Sequence, residues 1–259
     1  FAIKVCAGPE SFFTMPSRAS IGRQAASAIN GGTNNDLIYE TAEGEYVTIT
    51  AGDSIGDSAD TRNADYPISS TNRALVYHAL RESGVRGDIN LVSGLPVNRF
   101  YISGERNVEL IESKRQSLMR PVHSVSGAIL PIVRQHKVLS EAVAAFYDAL
   151  INMDGSVNHE FKEISDEEPI AVVDAGGKTL DIATVKEGGT GLYPSRSGTA
   201  DAGALYVYDE LNTFLRREFN VAQDVPFAKL QLALTKGTYR VFSEKHDVSH
   251  AVNQMLDNF

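Results

Sequence analysis

The chain has 259 residues, which corresponds to one large domain or two domains of ordinary size. Hydrophobic residues make up 42% of the sequence and charged residues 22%, which excludes a disordered chain. The net charge is −9 without a basic stripe, so direct binding to nucleic acid is not expected. No apolar run approaches the roughly 20 residues of a membrane helix, and a single cysteine, Cys6, favours a reducing cytosol.

The first predicted elements are strands and one capped helix. Residues 1–19 predict two strands interrupted by a Gly-Pro pair, and residues 37–52 predict a hairpin that turns at a Glu-Gly pair. A helix is predicted over residues 69–83, since a serine at its start can cap it and a glycine follows its end. Residues 88–98 predict a buried strand that leads into a turn.

Helices and strands continue to alternate in the middle of the chain. A charged helix is predicted over about 105–118, and its Lys114-Arg115 pair is interpreted as a solvated helix face. A strand region at 122–139 and a helix from about 140 to 153 follow.

The pattern changes after an acidic connector at 166–168. Two buried strands are predicted at 170–174 and 179–185, and a long helix begins near Ala202 with its apolar residues on one face. The last twelve residues predict another helix. Alternating strands and helices indicate an α/β protein, with predicted domains at 1–165 and 166–259.

A glycine pair joins the two strands of the second domain. Gly176 and Gly177 follow Asp174, and Thr179 and Asp181 come next. The simple interpretation is a β-hairpin. The functional interpretation is a phosphate-binding turn, because glycine lets backbone N–H groups approach an anion closely. A carboxylate beside phosphates then implies a hydrated Mg²⁺ between them.

A P-loop is excluded for this segment although it contains Gly177-Lys178-Thr179. That motif requires a glycine five positions earlier, where Val172 stands, and a helix afterwards, where a strand is predicted.

Residues 174–181, Asp-Ala-Gly-Gly-Lys-Thr-Leu-Asp, resemble the second phosphate loop of the actin/Hsp70/sugar-kinase superfamily. Residues 1–8 resemble the end of the first phosphate loop of that superfamily, with Lys4 at the position of its phosphate-contacting lysine. The resemblance predicts that the Asp-x-Gly part of this loop precedes Phe1 and that a Gly-rich adenosine loop follows Phe259.

Several shorter segments resemble one branch of the superfamily, the ParM/StbA-type actins of plasmid segregation, in order and spacing. These segments are residues 15–18, 60–62, 78–80 and 93–96 in the first domain and 198–205 in the second. In the branch, the last of them is a turn into a helix whose N-terminal glycine, here Gly203, faces the nucleotide.

The resemblance implies an actin-like ATPase fold of two α/β domains, with ATP or GTP and Mg²⁺ in the cleft between them. Glu141 would activate the attacking water, Asp174 would orient the Mg²⁺, and Asp181 would assist. The residues implied to contact the nucleotide are Lys4, Gly176, Gly177, Lys178, Thr179, Gly203 and Lys236.

The resemblance further implies head-to-tail filaments in the bacterial cytosol and a DNA-bound adaptor protein as the link to a plasmid. A non-polymerising ATPase of the sugar-kinase or chaperone kind stays open as an alternative, as does a nucleotide-binding scaffold without turnover. His246 and His250, four residues apart on a predicted helix, are interpreted as not forming a zinc site.

Overall fold

The computed structural model describes residues 2–8, 11–24, 35–50, 63–177, 179–200, 202–203 and 205–257. The strands are β1 (Ala2–Cys6), β2 (Phe12–Pro16), β3 (Ala19–Ile21), β4 (Ile38–Ala42), β5 (Glu45–Ile49), β6 (Asp88–Leu95), β7 (Tyr101–Ile102), β8 (Glu105–Arg106), β9 (His123–Ser124), β10 (Ile132–Ser140), β11 (Ile170–Ala175), β12 (Leu180–Val185), β13 (Gly198–Ala200), β14 (Thr238–Val241) and β15 (Glu244–Asp247). The helices are α1 (Ser70–Glu82), α2 (Val97–Phe100), α3 (Val108–Met119), α4 (Glu141–Leu150), α5 (His159–Glu167), α6 (Leu205–Glu218), α7 (Phe227–Lys236) and α8 (Ser249–Asp257).

The first five strands include the two strands predicted at the start of the chain and the predicted hairpin. β1 pairs antiparallel with β2, with Lys4 opposite Thr14. β4 and β5 pair antiparallel and lie in a four-stranded sheet of order β3-β5-β4-β9. Gly44 connects β4 to β5 with φ +72°, a conformation that glycine adopts without the steric penalty of a Cβ atom.

Helix α1 packs against these strands and begins and ends as its sequence predicts. The Ser69 hydroxyl accepts the backbone N–H of Asn72 at 3.1 Å, which satisfies a donor at the start of the helix. Gly84, at φ +83°, follows its last turn. Residues from α1 and the neighbouring strands form the larger buried core, which includes Tyr39, Val47, Ala74, Leu75 and Ala79.

The middle of the chain folds into a parallel β-α-β arrangement. β6 and β10 pair in parallel, and the connection between them contains α3. Parallel strands require such a crossover, because a tight turn can join only antiparallel neighbours. Both strands therefore run toward the same edge of their sheet, where Leu139 lies opposite Gly94 and Ser140 opposite Leu95.

The acidic connector predicted at 166–168 is mostly helical. Asp166 and Glu167 form the end of α5, whose first turn is capped by the Asn158 side chain accepting the Phe161 N–H at 3.2 Å. The prediction of a connector was wrong at these two residues. Three consecutive acidic residues are typical of loops, and the signals for α5, its cap and its apolar spacing, lie earlier in the sequence.

The strands around the glycine pair lie in a three-stranded sheet of order β11-β12-β13. β11 is not buried as predicted, because its residues alternate and Val173 is 61% exposed. The predicted long helix is α6, and its residues Leu211 and Leu215 are buried in a second core with residues of α7, β14 and α8.

The described chain divides into two compact units. The first contains the described residues up to Asp174 together with Asp181–Thr199, and the second contains Ala175–Leu180 and the described residues from Ala200 onward. Residues 166–174 and 181–199 thus lie in the first unit, whereas the sequence assigned them to the second domain. The division into domains at 1–165 and 166–259 stays a prediction.

Within the described ranges, none of the helices combines the length and the apolar character needed to cross a membrane.

Candidate functional site

Glu141 stands at the carboxyl edge of the parallel pair β6–β10. It is the first residue of α4 and directly follows β10. In open α/β sheets, ligands bind outside the carboxyl ends of the strands. The amino end of a helix also carries partial positive charge. The fold therefore places this carboxylate where a ligand of an α/β protein is expected.

The Glu141 side chain lies against Gly94 at the end of β6. A Cβ atom added to Gly94 would lie 2.9 Å from Oε1 and 3.1 Å from Cδ of Glu141, which is closer than packing allows. Glycine at position 94 thus provides the space that the carboxylate occupies.

Lys114 is the third member of this group, and its sequence interpretation was wrong. Its side chain is 7% exposed rather than solvated, and its Nζ donates a hydrogen bond to the Gly94 carbonyl at 2.6 Å. The helix sequence contained a signal for this. Lys114 follows Leu110 by four residues and precedes Leu118 by four, so it lies on the apolar face of α3. We call Gly94, Lys114 and Glu141 the Glu141 cluster.

His136 connects α3 to both parallel strands beside this cluster. Its Nε2 lies 2.8 Å from the Ser93 hydroxyl, and its Nδ1 lies 3.2 Å from the Arg115 carbonyl. Burial lowers the pKa of His136, so the imidazole is neutral at pH 7. The neutral hydrogen bonds of His136, together with the hydrogen bond from the Lys114 ammonium group, therefore hold α3 against the ends of β6 and β10.

The pKa values of the cluster reflect burial and neighbouring charge. Burial raises the pKa of Glu141, the Lys114 ammonium lowers it, and Asp174 and Asp181 raise it. The Glu141 side chain has accessible surface because it faces an open cavity. The protein around that cavity nevertheless displaces much of the water that would solvate the carboxylate. Burial lowers the pKa of Lys114 to about 8.

That cavity has a volume of about 800 Å³ and is lined by consecutive residues of β1 and β6. Lys4 of β1 faces it, as do Gly94, Lys114 and Glu141. The structure thus brings two residues that the sequence predicted separately, Lys4 and Glu141, to one cavity of the first unit.

Asp174 and Asp181 lie in the neighbouring sheet, and Asp181 is already engaged in structural bonds. Its Oδ1 accepts the backbone N–H of Val97 at 3.2 Å and the hydroxyl of Thr199. Asp181 is 2% exposed, whereas Asp174 at the end of β11 is partly exposed. The carboxylate of Asp181 thus fixes the start of α2, and Asp174 is the more accessible of the two acids.

The segment Ala175–Leu180, which we call the glycine turn, is held by backbone hydrogen bonds. The Gly176 N–H donates to the Thr179 carbonyl at 2.8 Å, and the Gly177 carbonyl accepts the Leu205 N–H at 2.7 Å. A Cβ at Gly176 would lie 3.0 Å from the Thr179 carbonyl oxygen. The turn therefore requires glycine for space and ends against the first residue of α6. Lys178 lies outside the described residues.

Two further predicted nucleotide contacts lie in the second unit. Gly203 is buried directly before α6, where its carbonyl accepts the Tyr206 N–H at 2.9 Å. Lys236 is the last residue of α7 and is exposed. Their contacts with a nucleotide stay predictions.

The acidic residues fit a magnesium ion bound through few protein ligands. Among the described residues, no group of three or more His, Cys, Asp or Glu side chains is arranged to hold a metal. Mg²⁺ is usually held by one or two carboxylates together with waters and substrate phosphates, and not by an all-protein cage. The partly exposed Asp174 beside the glycine turn matches that donor set. His246 and His250 do not share a helix as predicted, since His246 lies in β15 and His250 in α8.

Comparison with solved structures identifies the fold. The archaeal actin homolog Ta0583 in complex with ADP superposes with a TM-score of 0.69 and 16% identity, over 99% of this chain and 75% of that one. A ParM filament from Clostridium botulinum superposes with a TM-score of 0.69 and 15% identity, over 99% of this chain and 77% of that one. ParM with ATP from Bacillus thuringiensis superposes with a TM-score of 0.57 and 17% identity, over 95% of this chain and 73% of that one. The chain therefore has the α/β fold of actin-like ATPases.

A family model also matches part of the chain. Residues 27–152 match the family described as plasmid segregation protein ParM, N-terminal. A comparison with curated proteins found no match. The resemblance to ParM/StbA-type actin-like proteins that the sequence predicted is confirmed by the family match and by the structural neighbours.

Proposed function

We propose that the chain binds ATP, hydrolyses it and assembles into filaments that partition plasmids. The observation that carries the proposal is the Glu141 carboxylate at the carboxyl edge of β6 and β10, facing one cavity with Lys4, in a chain of actin-like fold. The glycine turn between Asp174 and Asp181 supports it.

Glu141 acts as the general base in this proposal. A base works best when its pKa lies close to the working pH, and burial raises the pKa of Glu141 in that direction. The carboxylate accepts a proton from a water molecule as the water attacks the terminal phosphate. Lys4 supplies positive charge toward the phosphates, since phosphoryl transfer depends mainly on positioning and on charge neutralisation.

The glycine turn holds the phosphates through backbone N–H groups, with Gly177, Lys178 and Thr179 as the contacting residues. The Gly176 N–H closes the turn itself, so this residue acts by shaping it. Asp174 binds Mg²⁺ through water. When bound, the ion neutralises phosphate charge. Gly203 and Lys236 face the ribose and base in this proposal, and GTP is the alternative nucleotide.

Self-assembly and the plasmid role rest on the relatives. A solved ParM forms a filament of 15 strands, and the matched family is named for plasmid segregation. Filament formation requires a head-to-tail contact between copies, which does not close on itself. The net charge of −9 disfavours direct DNA contact, so a DNA-bound adaptor protein connects the filament to the plasmid in the cytosol.

The test measures assembly and hydrolysis together. Light scattering and pelleting are followed with ATP and Mg²⁺, with ADP and Mg²⁺, and without nucleotide, while phosphate release is recorded. We expect scattering and pelleted protein to rise with ATP and Mg²⁺, and Asp174→Ala to abolish the rise. Asp148→Asn, an exposed acid on α4, is the matched control and should assemble normally.

The alternatives give different results in the same assay. Steady phosphate release without scattering would indicate a non-polymerising ATPase, and phosphate transfer to an added sugar would indicate a kinase. Nucleotide binding without phosphate release would indicate a scaffold. Absence of nucleotide binding by the intact protein would refute the proposal.

A further inference from the structure

A buried lysine lines the same cavity as the proposed base, and its ammonium group donates a hydrogen bond to a backbone carbonyl. The Lys114 side chain is 7% exposed on the inner face of α3, and its Nζ donates to the Gly94 carbonyl. Burying an ammonium group is unfavourable unless hydrogen bonds or opposite charge compensate. A neutral carbonyl provides part of that compensation and the Glu141 carboxylate a further part through space, while burial still lowers the pKa of Lys114 to about 8.

Gly94 connects the two charged side chains mechanically. The Gly94 carbonyl oxygen accepts a hydrogen bond from Lys114 Nζ at 2.6 Å. The Glu141 side chain packs against the Cα atom of Gly94, where a Cβ atom would otherwise lie. The end of β6 is therefore held between α3 and the first turn of α4. A change at Lys114 that moves the Gly94 backbone also moves the surface on which Glu141 rests.

The charges around Glu141 make Lys114 the group that favours its ionised form. Asp174 and Asp181 both disfavour the carboxylate, as does burial, while Lys114 favours it. His136 on β10 interacts with the Lys114 charge, but its imidazole is neutral at pH 7 because burial lowers its pKa. Lys4 on β1 also lies in the lining of the same cavity.

We infer that Lys114 is a positioning residue for Glu141, because its hydrogen bond to the Gly94 carbonyl holds the strand end against which the Glu141 side chain packs. The charge of Lys114 also favours the ionised form of that carboxylate. This inference rests on the proposed function, in which Glu141 must be a carboxylate to accept a proton. Lys114 itself forms no bond to nucleotide in this scheme.

Its first test is the pH dependence of turnover in the intact protein. Lys114→Met removes the positive charge and keeps the apolar stem, so the Glu141 pKa rises and the acidic limb of the kcat profile moves to higher pH. We expect kcat near pH 6 to fall about tenfold relative to wild type. The difference should be smallest above about pH 8, where wild-type Lys114 has also lost its proton and only its hydrogen bond to Gly94 distinguishes it from methionine. Arg115→Met, which removes a charge from the exposed side of the same helix, should leave the profile unchanged.

The second test is independent of hydrolysis. The carboxyl ¹³C resonance of Glu141, assigned by its disappearance in Glu141→Gln, is titrated in wild type, Lys114→Met and Lys114→Arg without nucleotide. We expect a higher titration midpoint in Lys114→Met, with Lys114→Arg restored toward wild type. Circular dichroism spectra establish that each variant is folded.

The outcomes separate the two proposals. An equal titration midpoint in wild type and Lys114→Met would overturn the role of Lys114, as would an equal kcat of the two proteins at every pH. If the wild-type protein does not hydrolyse nucleotide, the proposed function fails, while the titration still decides whether Lys114 controls the charge of Glu141.

Discussion

The Glu141 cluster of the first unit and the glycine turn of the second unit are held in place by different physical means. The cluster uses ionisable side chains from two helices, packed around one strand end, so its properties depend on charge and burial. The glycine turn uses backbone hydrogen bonds within six residues and contact with the first residue of α6. A substitution that changes charge should therefore affect the Glu141 cluster. A methyl group added at a glycine should affect the cluster and the glycine turn alike.

The two regions also need glycine for different reasons. At Gly94, a Cβ would meet the carboxylate of Glu141, so the space is reserved for a functional side chain. At Gly176, a Cβ would meet the carbonyl of the turn itself. We therefore expect substitution at Gly94 to reduce catalysis and substitution at Gly176 to reduce nucleotide affinity.

The largest effect is expected from removing the charge of Glu141 while keeping its shape. Glu141→Gln should lower kcat by about 10²–10⁴-fold, because an amide cannot accept the proton of the attacking water. Nucleotide affinity, measured by equilibrium titration, should stay close to wild type. Unchanged turnover would remove Glu141 from the mechanism, and Asp148→Asn on the same helix is the control.

Gly94→Ala tests whether the position of the carboxylate matters as well as its presence. The added methyl group should displace Glu141 and reduce kcat by about 10–100-fold, since small misplacements of reacting groups are costly. Gly198→Ala is a matched control because a Cβ there meets no atom within 4 Å. Equal kcat in the two variants would show that the Gly94 contact is dispensable.

Asp181 directly follows the glycine turn in the sequence, but its carboxylate forms hydrogen bonds within the first unit. Substitutions of Asp181 therefore test whether the residue has a structural or a catalytic role. Asp181→Ala leaves the buried Val97 N–H without an acceptor and should lower the free energy of unfolding by about 2 kcal/mol in chemical denaturation. Asp181→Asn retains an acceptor oxygen and should lose less stability. A stable Asp181→Asn protein with strongly reduced kcat would instead support the predicted catalytic role.

The smallest effect is expected in the turn. Gly176→Ala should raise the dissociation constant for nucleotide about tenfold, because the turn must shift to relieve the 3.0 Å contact with the Thr179 carbonyl. The kcat at saturating nucleotide should change little. A large loss of kcat with unchanged affinity would mean that the turn and the cluster do not differ in the way described.

Local signals explain what the sequence predicted well. The cap at Ser69, the hairpin at Gly44 and the apolar stripe of α6 each depend on residues within a few positions of one another, and the structure confirms all three. The resemblance to actin-like proteins likewise depended on contiguous motifs such as residues 174–181, and the comparisons confirm it.

The errors arose where a residue's environment depends on distant segments. Lys114 was interpreted as solvated because lysine is mostly exposed, yet a carbonyl twenty residues earlier accepts its hydrogen bond. The burial of β11 was overestimated because its apolar run did not show which face would be covered. The bonds of Asp181 to Val97 and Thr199 were not predicted either, because they join segments far apart in the sequence, and its catalytic role stays a prediction.

The cavity of the first unit also provides a built-in reporter position. Cys6 is the only cysteine of the chain, is exposed on β1, and faces the cavity that Lys4 and Glu141 share. A maleimide or fluorescent label will therefore attach at one place without any engineered substitution. The rate of attachment, and the emission of the attached dye, then measure how accessible this part of the cavity lining is as nucleotide is added.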